Sequence, residues 1–164
     1  MQRLFDILFS GTALVLLSPI FLVLMVVLRL SGEGEIFFLQ ERIGRGGSRI
    51  KLFKFATMLK NPEHIGTGTV TLHNDPRILP IGGLLRKTKI NELPQLLNIL
   101  AGDMSLIGPR PLTRQTFEAY SESTQDYIKR VRPGLSGVGS IIFRGEEEIM
   151  HGVAASIDFY ANVI

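Results

Sequence analysis

Residues 7–28 read ILFSGTALVLLSPIFLVLMVVL, twenty-two positions without one charge. As a helix rising 1.5 Å per residue the stretch would reach roughly 33 Å, about the hydrocarbon thickness of a bilayer. A run this apolar is read as a membrane segment rather than a buried core helix. A cleaved signal peptide does not fit, because no small-residue cleavage site precedes the end of the run and Arg29 follows it directly. Pro19 near the middle lacks an amide donor and clashes with the preceding turn, so a kink is expected at Ser18-Pro19. The Ser18 hydroxyl can bond a carbonyl that this leaves free. Arg3 and the amino terminus precede the run, and Arg29 with a basic region follows it, so charge gives no inside–outside asymmetry. A helix that enters, bends and returns would keep both flanks on the cytoplasmic face. The expected organisation is a re-entrant membrane helix over 1–30 and a small cytoplasmic domain over 31–164.

The 164 residues suffice for one domain with a core. With 45% hydrophobic and 20% charged residues the chain is too apolar for disorder and too mixed for a bundle of membrane spans. Cysteine is absent, which excludes disulfides, thiolate metal sites and thiol nucleophiles. His64, His73 and His151 have no metal-ligand spacing. The net charge of +3 hides a basic window. Between Arg42 and Lys89 ten basic residues face two acids, a local +8. Such a window suits anionic lipid beside a membrane anchor, an anionic substrate, or both. Nucleic acid is not expected as a partner, since aromatic platforms and known binding modules are missing.

Further along, Ile36–Gln40 reads as a short strand and Ile50–Met58 as another, with Lys51 among its basic residues. Between them Arg42–Ser48 is a Gly-rich turn, weak as a phosphate loop and ordinary as a hairpin connection. Asn61–Pro80 is loop-like. Leu84–Leu100 reads as two helical pieces, with Asn91 as N-cap, Glu92 and Pro94 in the first turn, and Leu93, Leu96, Leu97 and Leu100 in the core. Gly102 ends that helix. Gly108-Pro109-Arg110-Pro111 is a stiff loop, and Thr113–Val131 an amphipathic helix broken by Arg132-Pro133-Gly134. The sequence stops at Ile164 in what reads as the middle of an element. The fold class expected is α+β, mostly helical, on a monotopic membrane anchor.

A helix start at Asn91 would offer free N–H groups to a phosphate, with Arg86, Lys87 and Lys89 just before it. Arg110 on its Pro-stiffened loop could add a bidentate clamp. Glu92 is an acid in a basic neighbourhood, suited to act as a base or to hold a divalent cation. An ordinary capped helix with solvated cations accounts for the same residues.

The order of motifs resembles the bacterial sugar transferases, the small monotopic polyprenyl-phosphate phosphoglycosyl transferases. The matching pieces are Ser18-Pro19 within the apolar run, Gln40-x-Arg42-x-Gly44, Lys54-Phe55-x-Thr57-Met58, Glu92-Leu93-Pro94-Gln95, Gly102-Asp103-Met104-Ser105, Gly108-Pro109-Arg110-Pro111 and Arg132-Pro133-Gly134-x-Ser136-Gly137. They cover essentially the whole chain. The resemblance implies transfer of a sugar-1-phosphate from a UDP-sugar to polyprenyl (undecaprenyl) phosphate, with Mg²⁺, at the cytoplasmic face of the bacterial inner membrane. The product starts polysaccharide or glycoconjugate assembly, as in O-antigen, capsule or exopolysaccharide. It implies phosphate or nucleotide contacts at Lys54, Arg86, Arg110 and Arg132, and a metal at Glu92. Gln95 and Asp103 read as structural. Membrane lipids are partners by the same logic, and monomer and homo-oligomer are both left open.

The resemblance fails at one decisive position. The family carries an Asp-Glu pair whose Asp is the nucleophile; here the pair is Asn91-Glu92. A neutral amide is a poor nucleophile and a weaker Mg²⁺ ligand than a carboxylate. Direct transfer organised by Glu92, a substitute carboxylate (Asp75, Asp103 or one of Glu146–Glu148), an engineered Asn91, or an inactive partner protein would each account for it. Ala56 replaces a usual basic residue and Ser140 a usual Gln, while Arg144 still matches. Outside the transferase reading stand a non-catalytic membrane-bound scaffold of the same fold and a peripheral lipid-binding protein.

Overall fold

The computed structural model describes residues 1–31, 33–60 and 75–137. It is α+β and about half helical. The elements are α1 (Gln2–Leu30), β1 (Phe37–Ile43), β2 (Arg49–Phe55), α2 (Gly82–Lys87), α3 (Gln95–Ala101), β3 (Ser105–Ile107), α4 (Arg114–Glu118), α5 (Glu122–Arg130) and β4 (Gly134–Ser136). Two short 3-10 turns lie at Arg45–Gly47 and Ile90–Glu92.

β1 and β2 form an antiparallel hairpin pairing Phe38 with Lys54 and Arg42 with Ile50. Its turn uses Gly46 and Gly47 at φ 71° and 78°, left-handed values that favour glycine. The Gly-rich segment is therefore a hairpin connection. The outer edge of β2 is closed by a side chain: Asn98 of α3 accepts from Phe53 N–H at 2.9 Å and donates to the Lys51 carbonyl at 2.8 Å. Ile50 and Leu52 pack with Leu96, Ile99 and Met104 beneath this seam.

α1 lies along that body from end to end. Its docked face is Asp6, Ser10, Ala13, Leu14, Leu17, Phe21, Leu24 and Leu28, at helical spacing. Phe21, Leu24 and Leu28 join Phe55, Leu79 and Leu85 in one core cluster, and Leu14 and Leu17 bridge to the other. At the amino-terminal end the contacts are polar. Asp6 Oδ1 accepts from Ser105 Oγ and from Leu106 N–H, both at 3.0 Å. Arg3 donates to the Ile99 carbonyl and, at 2.6 Å, to that of Leu100, at the carboxyl end of α3. The opposite face of α1 stays apolar and exposed along its length, as at Phe5, Leu8, Leu16, Val23 and Leu30.

The expected break at Ser18-Pro19 is not seen: α1 continues through Pro19. Proline removes the donor that would serve the Val15 carbonyl, and Ser18 Oγ supplies one instead at 2.7 Å. Other boundaries also differ. Thr113–Val131 is two helices, because Thr113 and Ser121 each cap a fresh start by accepting from the N–H three residues on. Leu96 and Ile99 are the core residues of α3, while Leu97 is 38% exposed.

β3 and β4 run parallel, Ser105 opposite Gly134 and Ile107 opposite Ser136. The loop after β3 crosses β4 in backbone contact. A Cβ on Gly134 would collide with the Gly108 nitrogen, and one on Gly137 with the Gly108 carbonyl oxygen. Both glycine motifs are thus explained by one crossing, which sets the start of the loop that carries Arg110.

Two outcomes are expected. Asp6→Ala strands a buried hydroxyl and a backbone N–H, and should lower unfolding stability in detergent by about 1–3 kcal/mol. Asp6→Asn, which keeps an acceptor oxygen, should cost less. Gly134→Ala should raise KM for the anionic substrate, because the Gly108–Pro111 loop must shift; unchanged kinetics would show the crossing to be compliant.

Candidate active site

The hairpin delivers two cations. Arg42 near the end of β1 and Lys54 near the end of β2 project from different rungs of one ladder. Lys89, at φ 60°, turns the chain out of α2 into the 3-10 turn that presents Asn91 and Glu92. Lys54 Nζ lies 3.4 Å from Glu92 Oε1, both side chains being partly buried. Burial pushes the Lys54 pKa below the usual lysine range; Glu92 opposes the shift, and Arg42 and Arg110 add to it. Arg42 is lowered chiefly by burial and then by Arg110, against the pull of Glu92. Four groups therefore share one electrostatic neighbourhood: Arg42, Lys54, Arg110 and Glu92. Their formal sum is +2. Partly buried like charges are costly unless an anion joins them.

Asn91 is buried, and its Oδ1 has no hydrogen-bond partner. Gln40 Oε1 and Arg42 Nε are likewise buried and unpartnered. All three belong to the turn or strand that forms this cluster. Groups of this kind normally find partners, so the arrangement is built for something polar to complete it.

The expected helix start at Asn91 is not what forms. α3 begins at Gln95 with Pro94 as N-cap, and Asn91 makes no side-chain cap bond. The N–H groups of Glu92, Leu93, Leu96 and Leu97 bond to Lys89, Ile90, Leu93 and Pro94 carbonyls in successive tight turns. No helix amino terminus is therefore on offer at Asn91, and the cations are what the cluster presents to an anion.

The expected phosphate ligands have different neighbours. Lys54 and Arg110 meet at the cluster. Arg86, on α2, sets Nη1 3.6 Å from Met58 Sδ. Arg132 donates Nε to the Gly102 carbonyl at 2.8 Å, at the other end of α3. Arg42 was not singled out from the sequence as a ligand. The signal lay in Gln40-x-Arg42, whose spacing of two puts both side chains on one strand face.

The substitute carboxylates also sort out. Asp75 is buried in a pair with Arg77, whose Nη2 and Nε lie 2.5 Å and 2.8 Å from its two oxygens. Asp103 follows the carboxyl end of α3 and accepts from Asn98 at 3.4 Å. Ser140, Arg144 and Glu146–Glu148 lie outside the described residues. Among the described residues no group of three Asp, Glu, His or Cys side chains gathers to hold a metal. Glu92 is the carboxylate of the cluster, and a single carboxylate suits a magnesium ion that arrives on substrate phosphates rather than one caged by protein.

The family model described as bacterial sugar transferase matches residues 1–163. An exopolysaccharide production protein, ExoY, of Rhizobium meliloti is 36% identical over 98% of this chain and 77% of its own length. The UDP-N-acetylgalactosamine-undecaprenyl-phosphate N-acetylgalactosaminephosphotransferase of Aeromonas hydrophila is 38% identical over 96% of this chain and 36% of its own. The UDP-glucose:undecaprenyl-phosphate glucose-1-phosphate transferase of Escherichia coli is 35% identical over 97% of this chain and 35% of its own. With the family match running from the membrane helix through the cationic cluster, the chain belongs to the bacterial sugar transferases.

Proposed function

We propose that this protein transfers a sugar-1-phosphate from a UDP-sugar to undecaprenyl phosphate, initiating polysaccharide assembly. The observation that carries the reading is the +2 cluster of Arg42, Lys54, Arg110 and Glu92 beside an unpartnered Asn91. Relatives named for that reaction support the substrates. An excess of two positive charges matches a phosphate dianion or a diphosphate. Arg42 and Lys54 neutralise phosphate oxygens, and Glu92 holds Lys54 in place. Magnesium, when bound at Glu92, would neutralise charge on the departing UMP.

Asn91 cannot form the covalent phosphosugar intermediate. Asp75 is committed to Arg77, and Asp103 lies at the far end of α3. Among the described residues this favours direct displacement: an oxygen of the acceptor phosphate attacks the β-phosphorus of the UDP-sugar, the bond from that phosphorus to the bridging oxygen breaks, and UMP leaves carrying that oxygen. The products are polyprenyl diphosphate-sugar and UMP, with no proton required from the protein. Asn91 equally favours a second reading, a scaffold that binds the nucleotide sugar without turnover.

We also propose attachment to the cytoplasmic face of the inner membrane by a helix that does not cross it. Both ends of α1 are tied to one body, Arg3 and Asp6 to α3 and β3, Leu28 to the Phe55 cluster. With its exposed apolar face over roughly 43 Å, such a helix suits the lipid interface.

UMP release should depend on undecaprenyl phosphate in the wild type. Asn91→Asp should instead release one equivalent of UMP without acceptor and leave a phosphosugar adduct detectable by mass spectrometry. Glu92→Gln should lower turnover about 10²-fold or more. A silent wild type with an active Asn91→Asp establishes the scaffold. Because the Lys54 pKa is depressed, the cation is lost as pH rises, sooner than for a free lysine. The alkaline limb of kcat/KM should fall below the ordinary lysine range, and Lys54→Arg should move it upward. In sealed vesicles Gln2→Cys and Ser123→Cys should label from the same side; labelling from opposite sides overturns the topology.

A further inference from the structure

The cationic cluster continues along β1 into an apolar groove. Side chains on alternate residues of a strand share a face, so Ile36, Phe38, Gln40 and Arg42 form one row. Ile36 extends the hairpin ladder by accepting from Ala56 N–H. It also lines a groove of about 330 Å³ with Leu22, Met25, Val26, Arg29 and Leu30 of α1. The lining is almost wholly carbon, and Arg29 turns its guanidinium to the Gly34 carbonyl at 2.9 Å. Phe38, the next in the row, is exposed and sits directly opposite Lys54. Beyond it come the unpartnered atoms of Gln40 and Arg42. From Ile36 to Arg42 the row measures roughly 20 Å at strand rise.

We propose that this row seats the lipid acceptor, with its phosphate between Arg42 and Lys54 and its first isoprene units over Phe38 and in the groove between α1 and Ile36. The inference rests on the transferase reading above and adds where the acceptor lies. A nucleotide or free phosphate would use the cations and leave the carbon end idle. A bilayer acyl chain would fill the groove and leave Arg42 Nε without a partner. An amphiphile with a phosphate head and a hydrocarbon tail uses both ends of the row, and its charge is complementary to the cluster.

Leu22 and Val26 are more than half exposed, so Leu22→Trp and Val26→Trp fill the groove without disturbing the core. In the full chain held in nanodiscs, each should raise KM for undecaprenyl phosphate about tenfold, with KM for dimethylallyl phosphate, whose single isoprene unit stops short of the groove, and for the UDP-sugar unchanged. Arg42→Gln should raise KM for both acceptors. Equal effects of the Trp variants on long and short acceptors, or none on either, would overturn the proposal. So would weakened membrane association with unchanged KM, the result for a groove occupied by bilayer lipid. Failure of the transferase reading shows separately, as absence of UMP release from wild type and Asn91→Asp alike. In that case retention of radiolabelled undecaprenyl phosphate decides the groove: loss in the Trp variants supports it, and equal retention overturns it.

Discussion

The side-chain amide of Asn98 is the fastening on which the site depends. A two-stranded hairpin standing alone is marginal in water, and the outer edge of β2 would carry unpaired N–H and C=O groups. Asn98 answers Phe53 N–H and the Lys51 carbonyl as a neighbouring strand would. Lys54 is the next residue after this seam, and Glu92 lies on the turn just before the helix that carries Asn98. The 3.4 Å Lys54–Glu92 pair is thus set by a neutral amide several residues away from either partner. The far end of α3 is held as firmly. Arg3 binds the Ile99 and Leu100 carbonyls and Arg132 that of Gly102, placing cations where the helix dipole is negative.

That arrangement gives α1 two separate tasks. An ordinary surface helix is apolar on one face only. α1 is apolar on both, because one face builds the core with Phe55, Leu79, Leu85, Leu96 and Ile99 while the other is left uncovered. Three of its polar residues, Arg3, Asp6 and Ser10, sit in its opening turns. They face β3 and α3 or the helix's own backbone rather than lipid. On the proposed membrane attachment, anchor and domain core are one element, so the cationic cluster is held at a fixed height above the lipid surface.

Much of this was legible in the sequence. The uncharged run, the hairpin about a Gly-rich turn and the Ser18 donation beside Pro19 follow from local chemistry. What was not legible depended on partners distant in sequence. The helix expected to break at Pro19 runs on through it, because one hydroxyl serves the carbonyl left free and the docked face packs on both sides of the proline. Asn91 has good N-cap chemistry, yet Lys89 in a left-handed conformation tightens the following residues into a 3-10 turn and moves the helix start to Pro94. Arg132 matches its motif, and its Nε donates to the Gly102 carbonyl, a contact that needed the fold to be seen. Arg42 needed the hairpin register before it could be seen beside Lys54.

Asn91 alters the electrostatics as well as the nucleophile. A carboxylate there would bring the cluster to +1. The amide leaves it at +2 and leaves a buried oxygen without a donor. A site of this kind should hold a phosphate dianion more tightly than its carboxylate counterpart, since one repulsive charge is gone. Tighter ground-state binding does not lower a barrier by itself. The substitution therefore trades covalent chemistry for anion affinity. In the proposed direct transfer, turnover then depends on how well Arg42, Lys54 and Glu92 align two bound phosphates.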